Sequence, residues 1–142
     1  MERPETRYVA VGDADVAYQV IGEGPKDLLF FYGLGSHIDL FWDNPVASRF
    51  IQRLASFCRM IIFDRRGTGA SDSFARSAIP TWEEWTDDVL AVLDAAGSHQ
   101  AAIFATIVNL LGMSMMLFRW FIFQGNIQKR VCLLYTSPSP RD

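Results

Sequence analysis

The segment FDRRGTGASD, residues 63–72, places two arginines, two acids and two glycines directly after the apolar run MIIF. Such a loop binds phosphate when it opens a helix whose amide N–H groups point at the ligand. The residues that follow are polar, contain Pro80 and lack helical periodicity, and neither the dinucleotide-binding nor the P-loop pattern is matched. The segment therefore favours a structural turn, in which glycines allow positive φ and acids accept loop N–H groups or pair with the arginines. The residues of this predicted turn are Asp64, Arg65, Arg66, Gly67, Gly69, Ser71 and Asp72.

The composition does not support a metal site, a cofactor or a nucleic-acid partner. The chain has two histidines, His37 and His99, and neither a CxxC nor an HExxH motif, so we predict no metal site and no cofactor. A formal charge of −3 and a pI near 5.3, without a basic stripe before the last few residues, argue against a nucleic-acid partner. We expect the partner to be a small neutral or modestly polar molecule.

The number and spacing of the cysteines indicate in which cellular compartment we expect the protein. Cys58 and Cys132 lie far apart in a chain without a recognisable signal peptide, which does not support a disulfide framework. We therefore expect a cytoplasmic location, with Cys58 as a small buried residue.

The strands that must position these residues follow from the hydrophobic pattern. TRYVAV and DVAYQVIG alternate apolar and polar residues around a short turn, which predicts an antiparallel hairpin. DLLFFY, RMIIF and QAAIFA are continuous apolar runs, which are typical of strands buried on both faces of a parallel sheet.

Two helices are predicted between these buried strands. Asn44 and Pro45 form a helix start before VASRFIQRLASF. Thr81 and Glu84 form a capping box for a helix from about residue 82 to 96. Strand and helix thus alternate after a leading hairpin, which predicts an α/β fold with a sheet that is parallel in its centre and antiparallel at one edge.

In this order, the hairpin, FFYGLGSH, FDRRGTGASD and PTWEEWTDDVLAVLDAAG resemble the N-terminal half of the α/β-hydrolase-fold superfamily. They are similar in particular to a bacterial branch in which this domain is often joined to a nucleotide-cyclase or helix-turn-helix output domain. The resemblance covers about residues 6–105. It implies a truncated α/β-hydrolase fold, with residues 1–131 as a partial domain and the match uncertain over residues 106–131.

The resemblance implies a role for the loop after the third strand. In this superfamily that loop supplies one backbone N–H of the oxyanion hole, here at Leu34. The chain has Tyr32 and Gly33 where the superfamily usually has His-Gly or Pro-Gly, and a simple flexible turn is the alternative. The residues expected to line the pocket are Gly33, Gly35, Ser36 and His37. His37 is not expected to be the catalytic base, because the superfamily's base follows the last strand.

The resemblance also implies a nucleophilic serine in G-x-S-x-G directly after QAAIFA. Ile107 occupies that position and has no nucleophilic atom. Ser114 follows Gly112 by two residues, but the second glycine is replaced by Met116 and the position is too late, so Ser114 is a weak candidate. We expect the chain as written to be inactive in ester hydrolysis by the Ser-His-Asp route, because nucleophile, acid and late histidine are absent.

The C-terminal part of the sequence departs from this pattern. Arg119 is the only charge in residues 101–123, so this stretch is either a membrane span or a buried strand followed by a buried helix; its polar residues favour the latter. A damaged coding frame is a third interpretation. The final CLLYTSPSPRD resembles translated sequencing adapter, and we exclude residues 132–142 from the reasoning about fold and function as a non-native tail.

Two functions follow from the resemblance. The first is the N-terminal fragment of a serine hydrolase acting on ester or related small acyl substrates. The alternative is a non-catalytic hydrolase-like domain that senses a ligand and regulates an attached cyclase or DNA-binding domain.

Overall fold

A mixed β-sheet organises the chain. The computed structural model describes residues 3–32, 36–75 and 78–105, together with the backbone of residues 132–133. The described strands are β1 (Arg7–Val11), β2 (Ala14–Ile21), β3 (Asp27–Phe31), β4 (Arg59–Phe63), β5 (Ala101–Ala105) and β6 (Cys132–Leu133). The described helices are a 3₁₀ helix (Leu40–Trp42), α1 (Pro45–Ala55) and α2 (Trp82–Ala95).

The strand order is β1-β2-β4-β3-β5-β6. β1 and β2 form the predicted antiparallel hairpin, and β2 is also antiparallel to β4. β3 pairs in parallel with β4 on one side and with β5 on the other, and β5 pairs in parallel with β6. The predicted fold class, a hairpin leading into a mostly parallel sheet flanked by helices, is confirmed.

The two faces of the sheet explain why the central strands are apolar throughout. Alternate residues of a strand point to opposite faces. Leu29 and Ile61 lie in a buried cluster with Val92 of α2, whereas Leu28 and Met60 belong to the other cluster, with α1. Each face of the sheet is covered by a helix. Both sets of alternate residues in β3 and β4 are therefore buried and apolar.

Both helices begin at the side chains that the sequence indicates. The Asn44 side chain accepts hydrogen bonds from the N–H groups of Val46 and Ala47, and Pro45 is the first residue of α1. The Thr81 N–H donates to the Glu84 carboxylate at 2.7 Å, and the Glu84 N–H donates to the Thr81 hydroxyl at 3.3 Å. These reciprocal bonds satisfy N–H groups that have no partner within the helix.

The C-terminal predictions fall mainly outside the described residues. Ile107, Ser114 and the rest of residues 106–131 are among those not described, as are residues 134–142. Cys132 and Leu133, in the segment that resembles adapter sequence, pair with Ala102 and Ile103 of β5. No helix within the described ranges is long and apolar enough to cross a membrane.

We predict that Gly22→Ala lowers the free energy of unfolding by about 3 kcal/mol, measured by urea denaturation. Gly22 has a φ of +79°, and a Cβ there would overlap the Ala55 carbonyl and lie 2.7 Å from the Cys58 carbonyl oxygen. Gly12→Ala is the matched control, because Gly12 has a φ of +65° but no atom within 4 Å of the added Cβ. It should cost only about 1 kcal/mol, the strain of the left-handed conformation alone. Equal losses in the two variants would contradict the predicted clash.

Candidate active site

The parallel strands bring three loops to one edge of the sheet. β3, β4 and β5 run in the same direction, so the segments that follow them leave from the same edge. Phe31, the last residue of β3, pairs with Ala105, the last residue of β5. The segment that contains Leu34 and the segment that contains Ile107 therefore start on adjacent strands, although both residues lie outside the described ranges. Ligands of open α/β sheets bind at this edge.

The carboxylate of Asp64 connects the loop after β3 (the β3 loop) to the loop after β4 (the β4 loop). Asp64 is the first residue after β4 and is completely buried. Its Oδ1 accepts a hydrogen bond from the Ser36 hydroxyl at 2.8 Å. Its Oδ2 accepts from the N–H groups of Ile38 at 3.0 Å and Ala70 at 2.9 Å. A buried carboxylate requires such donors, and here they fix residues 36–38 relative to the β4 loop.

Gly69 is required by the same contact. Its φ is +56°, and a Cβ at this position would overlap the Asp64 carboxylate. A side chain at residue 69 would therefore displace the acceptor of three hydrogen bonds, in addition to the strain of its backbone conformation. The second glycine of the G-x-G pair is thus explained by close approach as well as by turn geometry.

Ser71 and Asp72 attach the turn to the hairpin. The Ser71 hydroxyl donates to the Asp64 carbonyl at 2.6 Å and accepts from the Ala17 N–H at 2.8 Å. The Asp72 carboxylate accepts from the Asp15 N–H at 2.9 Å, and the Asp72 N–H donates to the Asp15 carbonyl at 3.0 Å. The β4 loop therefore has fixed partners on both sides.

The two arginines of the turn have different surroundings. Arg66 forms an ion pair with Asp88 of α2, donating from Nε to both carboxylate oxygens at 3.0 Å, and these hydrogen bonds to Asp88 raise the pKa of Arg66. The guanidinium of Arg65 lies 4.8 Å from the ring centroid of Trp85 and 5.5 Å from that of Phe31. Burial lowers the pKa of Arg65. The β4 loop is thereby also held against α2.

His37 has no orienting carboxylate in the described structure. Its Nδ1 is buried and has no hydrogen-bond partner among the described residues, while its carbonyl accepts from the Leu40 N–H at 3.0 Å. A catalytic base needs a group that fixes its tautomer and orientation. His99 is exposed and precedes β5, at the opposite end of that strand from the loops. Within the described ranges, no cluster of three or more potential metal ligands occurs.

Aromatic side chains lie next to the β3 loop on the α1 side of the sheet. Tyr32 contacts Phe41 with ring centroids 4.7 Å apart, and Phe30 at 5.8 Å. Phe30 stacks on Phe104 of β5 at 5.4 Å, and Phe50 of α1 contacts both of these rings. The surface near the strand ends is therefore apolar and aromatic.

Asp88 and the buried Gln19 were not identified from the sequence. A signal for Asp88 was present, because it interrupts the apolar stripe that Trp85, Val89 and Val92 form on α2. A charged residue in such a stripe requires a buried partner. For Gln19 the alternating pattern of β2 gave no comparable signal.

Comparison with solved structures identifies the fold. The chain is similar to an epoxide hydrolase from Vigna radiata, with a TM-score of 0.68 and 21% identity over 99% of this chain and 42% of that one. It is also similar to a protein from Agrobacterium vitis S4 described as a hydrolase, with a TM-score of 0.67 and 19% identity over 92% of this chain and 50% of that one. A third match is an enzyme that degrades N-acyl homoserine lactones, with a TM-score of 0.63 and 24% identity over 88% of this chain and 42% of that one.

These likenesses establish an α/β-hydrolase type of fold, a mixed sheet flanked by helices. The chain spans between about two fifths and one half of the length of these structures. No family model matches the chain, and no curated protein sequence matches it.

We predict that Asp64→Ala costs about 4 kcal/mol of unfolding free energy, because three donors lose their acceptor. Asp64→Asn is the matched control and should cost only about 1–2 kcal/mol. Its amide oxygen can still accept hydrogen bonds from the N–H groups of Ile38 and Ala70. The Ser36 hydroxyl can rotate to accept a hydrogen bond from the new NH₂ group. Urea denaturation measures both values. Similar losses in the two variants would show that the charge, rather than the acceptor geometry, is what the site requires.

We predict that Asp88→Asn costs about 3 kcal/mol or more, because it leaves the Arg66 guanidinium, with a side chain 11% exposed, without the carboxylate that it contacts directly. Joint replacement by Arg66→Met and Asp88→Leu should restore most of the loss, since no buried charge remains. Thermal or urea unfolding of the single and double variants tests this. A double variant less stable than Asp88→Asn would contradict the interpretation.

Proposed function

We propose that this chain provides the carbonyl-binding part of a serine-hydrolase site that acts on ester or related small acyl substrates in the cytoplasm. The observation that carries the proposal is the set of hydrogen bonds from Ser36 and Ile38 to the buried Asp64. These bonds fix residues 36–38, which begin two positions after Leu34, the residue whose N–H we assign to the oxyanion hole. A preorganised donor is effective because it needs no reorganisation when negative charge develops on the carbonyl oxygen.

The surroundings of the loop support an uncharged acyl substrate. Tyr32, Phe41 and Phe104 form an apolar aromatic surface beside it. Aromatic and aliphatic linings favour apolar groups, while a few placed polar groups fix their orientation. A lactone is a cyclic ester, so the matched enzyme that degrades N-acyl homoserine lactones lends support to the ester class.

We further propose that the chain as written does not turn over esters. Isoleucine at position 107 offers no nucleophile where the serine of G-x-S-x-G is expected, and Ser114 lacks the second glycine of that motif. Binding of an acyl group to the oxyanion loop requires no nucleophile, so binding and turnover are separable here.

This separation favours one alternative, a non-catalytic domain that binds a small ligand and regulates an attached cyclase or DNA-binding domain. The observation in its favour is that the Asp64 contacts are complete while the nucleophile position is apolar. Sequencing the source gene across codons 100–142, from a library made without transposase, separates the two functions. A serine in G-x-S-x-G selects the hydrolase, and a retained isoleucine selects the binding domain.

We predict that the full chain hydrolyses p-nitrophenyl acetate and butyrate no faster than buffer does, as measured by release of p-nitrophenol. A fluorophosphonate probe, which labels activated serines, should likewise leave the chain unlabelled. Ser114→Ala is the control and should behave identically in both assays. Ester turnover that disappears in Ser114→Ala would identify Ser114 as the nucleophile and contradict the proposal.

A further inference from the structure

A second polar cluster, separate from the Asp64 contacts, holds the β3 loop. Its centre is the carboxylate of Asp39, whose Oδ1 accepts hydrogen bonds from the Thr6 hydroxyl at 2.6 Å and from Gln19 Nε2 at 3.1 Å. Arg3 forms an ion pair with the same oxygen at 3.0 Å. The donors come from the segment before β1 and from β2, so residues distant in the sequence converge on the loop.

Gln19 has partners for its whole amide group. It is completely buried in β2, and its Nε2 donates to both the Thr6 hydroxyl, at 2.8 Å, and the Asp39 carboxylate. Its Oε1 accepts from the Trp42 indole N–H at 2.9 Å. An apolar residue would pack at this position of β2 without these partners, so packing alone does not explain a buried amide.

The cluster and the Asp64 contacts act on the same short segment. Asp39 directly follows Ile38, whose N–H donates to Asp64, and Trp42 ends the 3₁₀ helix that begins at Leu40. Asp64 therefore holds the segment 36–42 at Ser36 and Ile38, and the second cluster holds it at Asp39 and Trp42. Without the second set of contacts, the described side-chain hydrogen bonds that reach the segment from other elements end at Ile38.

We propose that residues 3–6 form a strap that positions the β3 loop, with Thr6 and Gln19 as positioning residues and Asp39 as their acceptor on the loop. The role of this strap in carbonyl binding rests on the proposed function, whereas its effect on the loop does not. The position of the β3 loop then depends on residues 3–6 as well as on the turn motif, residues 63–72. Residues 3–6 belong to neither the sheet nor α1 or α2, so we expect loss of their contacts to act on the β3 loop first.

The charge of Asp39 gives the strap a defined pH range. Burial by itself raises the pKa of Asp39, but hydrogen bonds from Thr6 and Arg3, with the charges of Arg3 and His37, hold it below its ordinary value. A group with a lowered pKa contributes stability that is present above the pKa of the unfolded chain, about 4, and is lost as the pH falls through the folded pKa. The strap is therefore stabilised by Asp39 at neutral pH and weakened in acid.

Amide hydrogen exchange of the full chain tests the strap without any ester or ligand. Thr6→Val keeps the size of the side chain and removes the hydroxyl that bridges Gln19 and Asp39. We expect exchange of residues 36–43 to become about tenfold faster, with β4 (Arg59–Phe63) unchanged. Thr6→Ser restores the hydroxyl and should exchange like the original chain. Unchanged exchange in residues 36–43, or equal acceleration in β4, would overturn the proposal, since Thr6 would then be neutral or act on the whole domain.

The indole N–H resonance of Trp42, assigned by its loss in Trp42→Phe, is a second readout. Its chemical shift would not depend on pH if Asp39 served only in packing. We expect it to shift on acidification below about pH 4, as Asp39 is protonated, and to lose this pH dependence in Asp39→Asn. A pH-independent resonance in the original chain, or the same titration in Asp39→Asn, would contradict the assignment of Asp39. Ester turnover enters neither experiment, so failure of the proposed function and failure of the strap are distinguishable.

Discussion

The buried carboxylate of Asp64 is the constraint on which the loops at the sheet edge depend. A carboxylate removed from water needs hydrogen-bond donors, and in this chain they come from two loops that are far apart in the sequence. The position of residues 36–38 is therefore determined by the position of β4. The same constraint leaves no room for a side chain at Gly69, so the spacing of the turn motif follows from the location of one acid.

Further contacts hold the loops around Asp64 to the rest of the structure. Ser71 binds the backbone of Asp64 and that of Ala17, which couples the turn to the hairpin. Arg66 reaches Asp88 on α2, while Asp39 binds the N-terminal segment from the loop itself. Two acidic side chains, Asp64 and Asp39, thus accept hydrogen bonds that hold residues 36–39. In the proposed function, these bonds preorganise the loop that carries the oxyanion donor.

The fold could be predicted from the sequence because its signals are local. Pro45 after Asn44 and the Thr81–Glu84 capping box fix helix starts through contacts within four residues, and alternation in residues 7–21 fixes the hairpin. Continuous apolar runs indicate strands covered on both faces, which the α/β arrangement requires.

The contacts at the candidate site are less predictable because they join residues far apart in the chain. The turn motif indicated that its acids accept loop N–H groups or pair with the neighbouring arginines, without deciding between these partners. Asp64 takes the loop donors, whereas Arg66 pairs with Asp88, 22 residues away. The partners of Gln19 lie 13 to 23 residues away, at distances that only the tertiary fold brings together. No short-range pattern encodes such pairs.

The most direct test is to observe the hydrogen bonds of Asp64 in solution. Scalar couplings across hydrogen bonds can be measured between an amide nitrogen and the carboxyl carbon of its acceptor. Our account predicts couplings from the amides of both Ile38 and Ala70 to the side-chain carboxyl carbon of Asp64. If both are present, one carboxylate holds the two loops together. If the Ile38 amide couples to a different acceptor or to none, the β3 loop is not positioned by Asp64, and the proposed oxyanion site loses its physical basis.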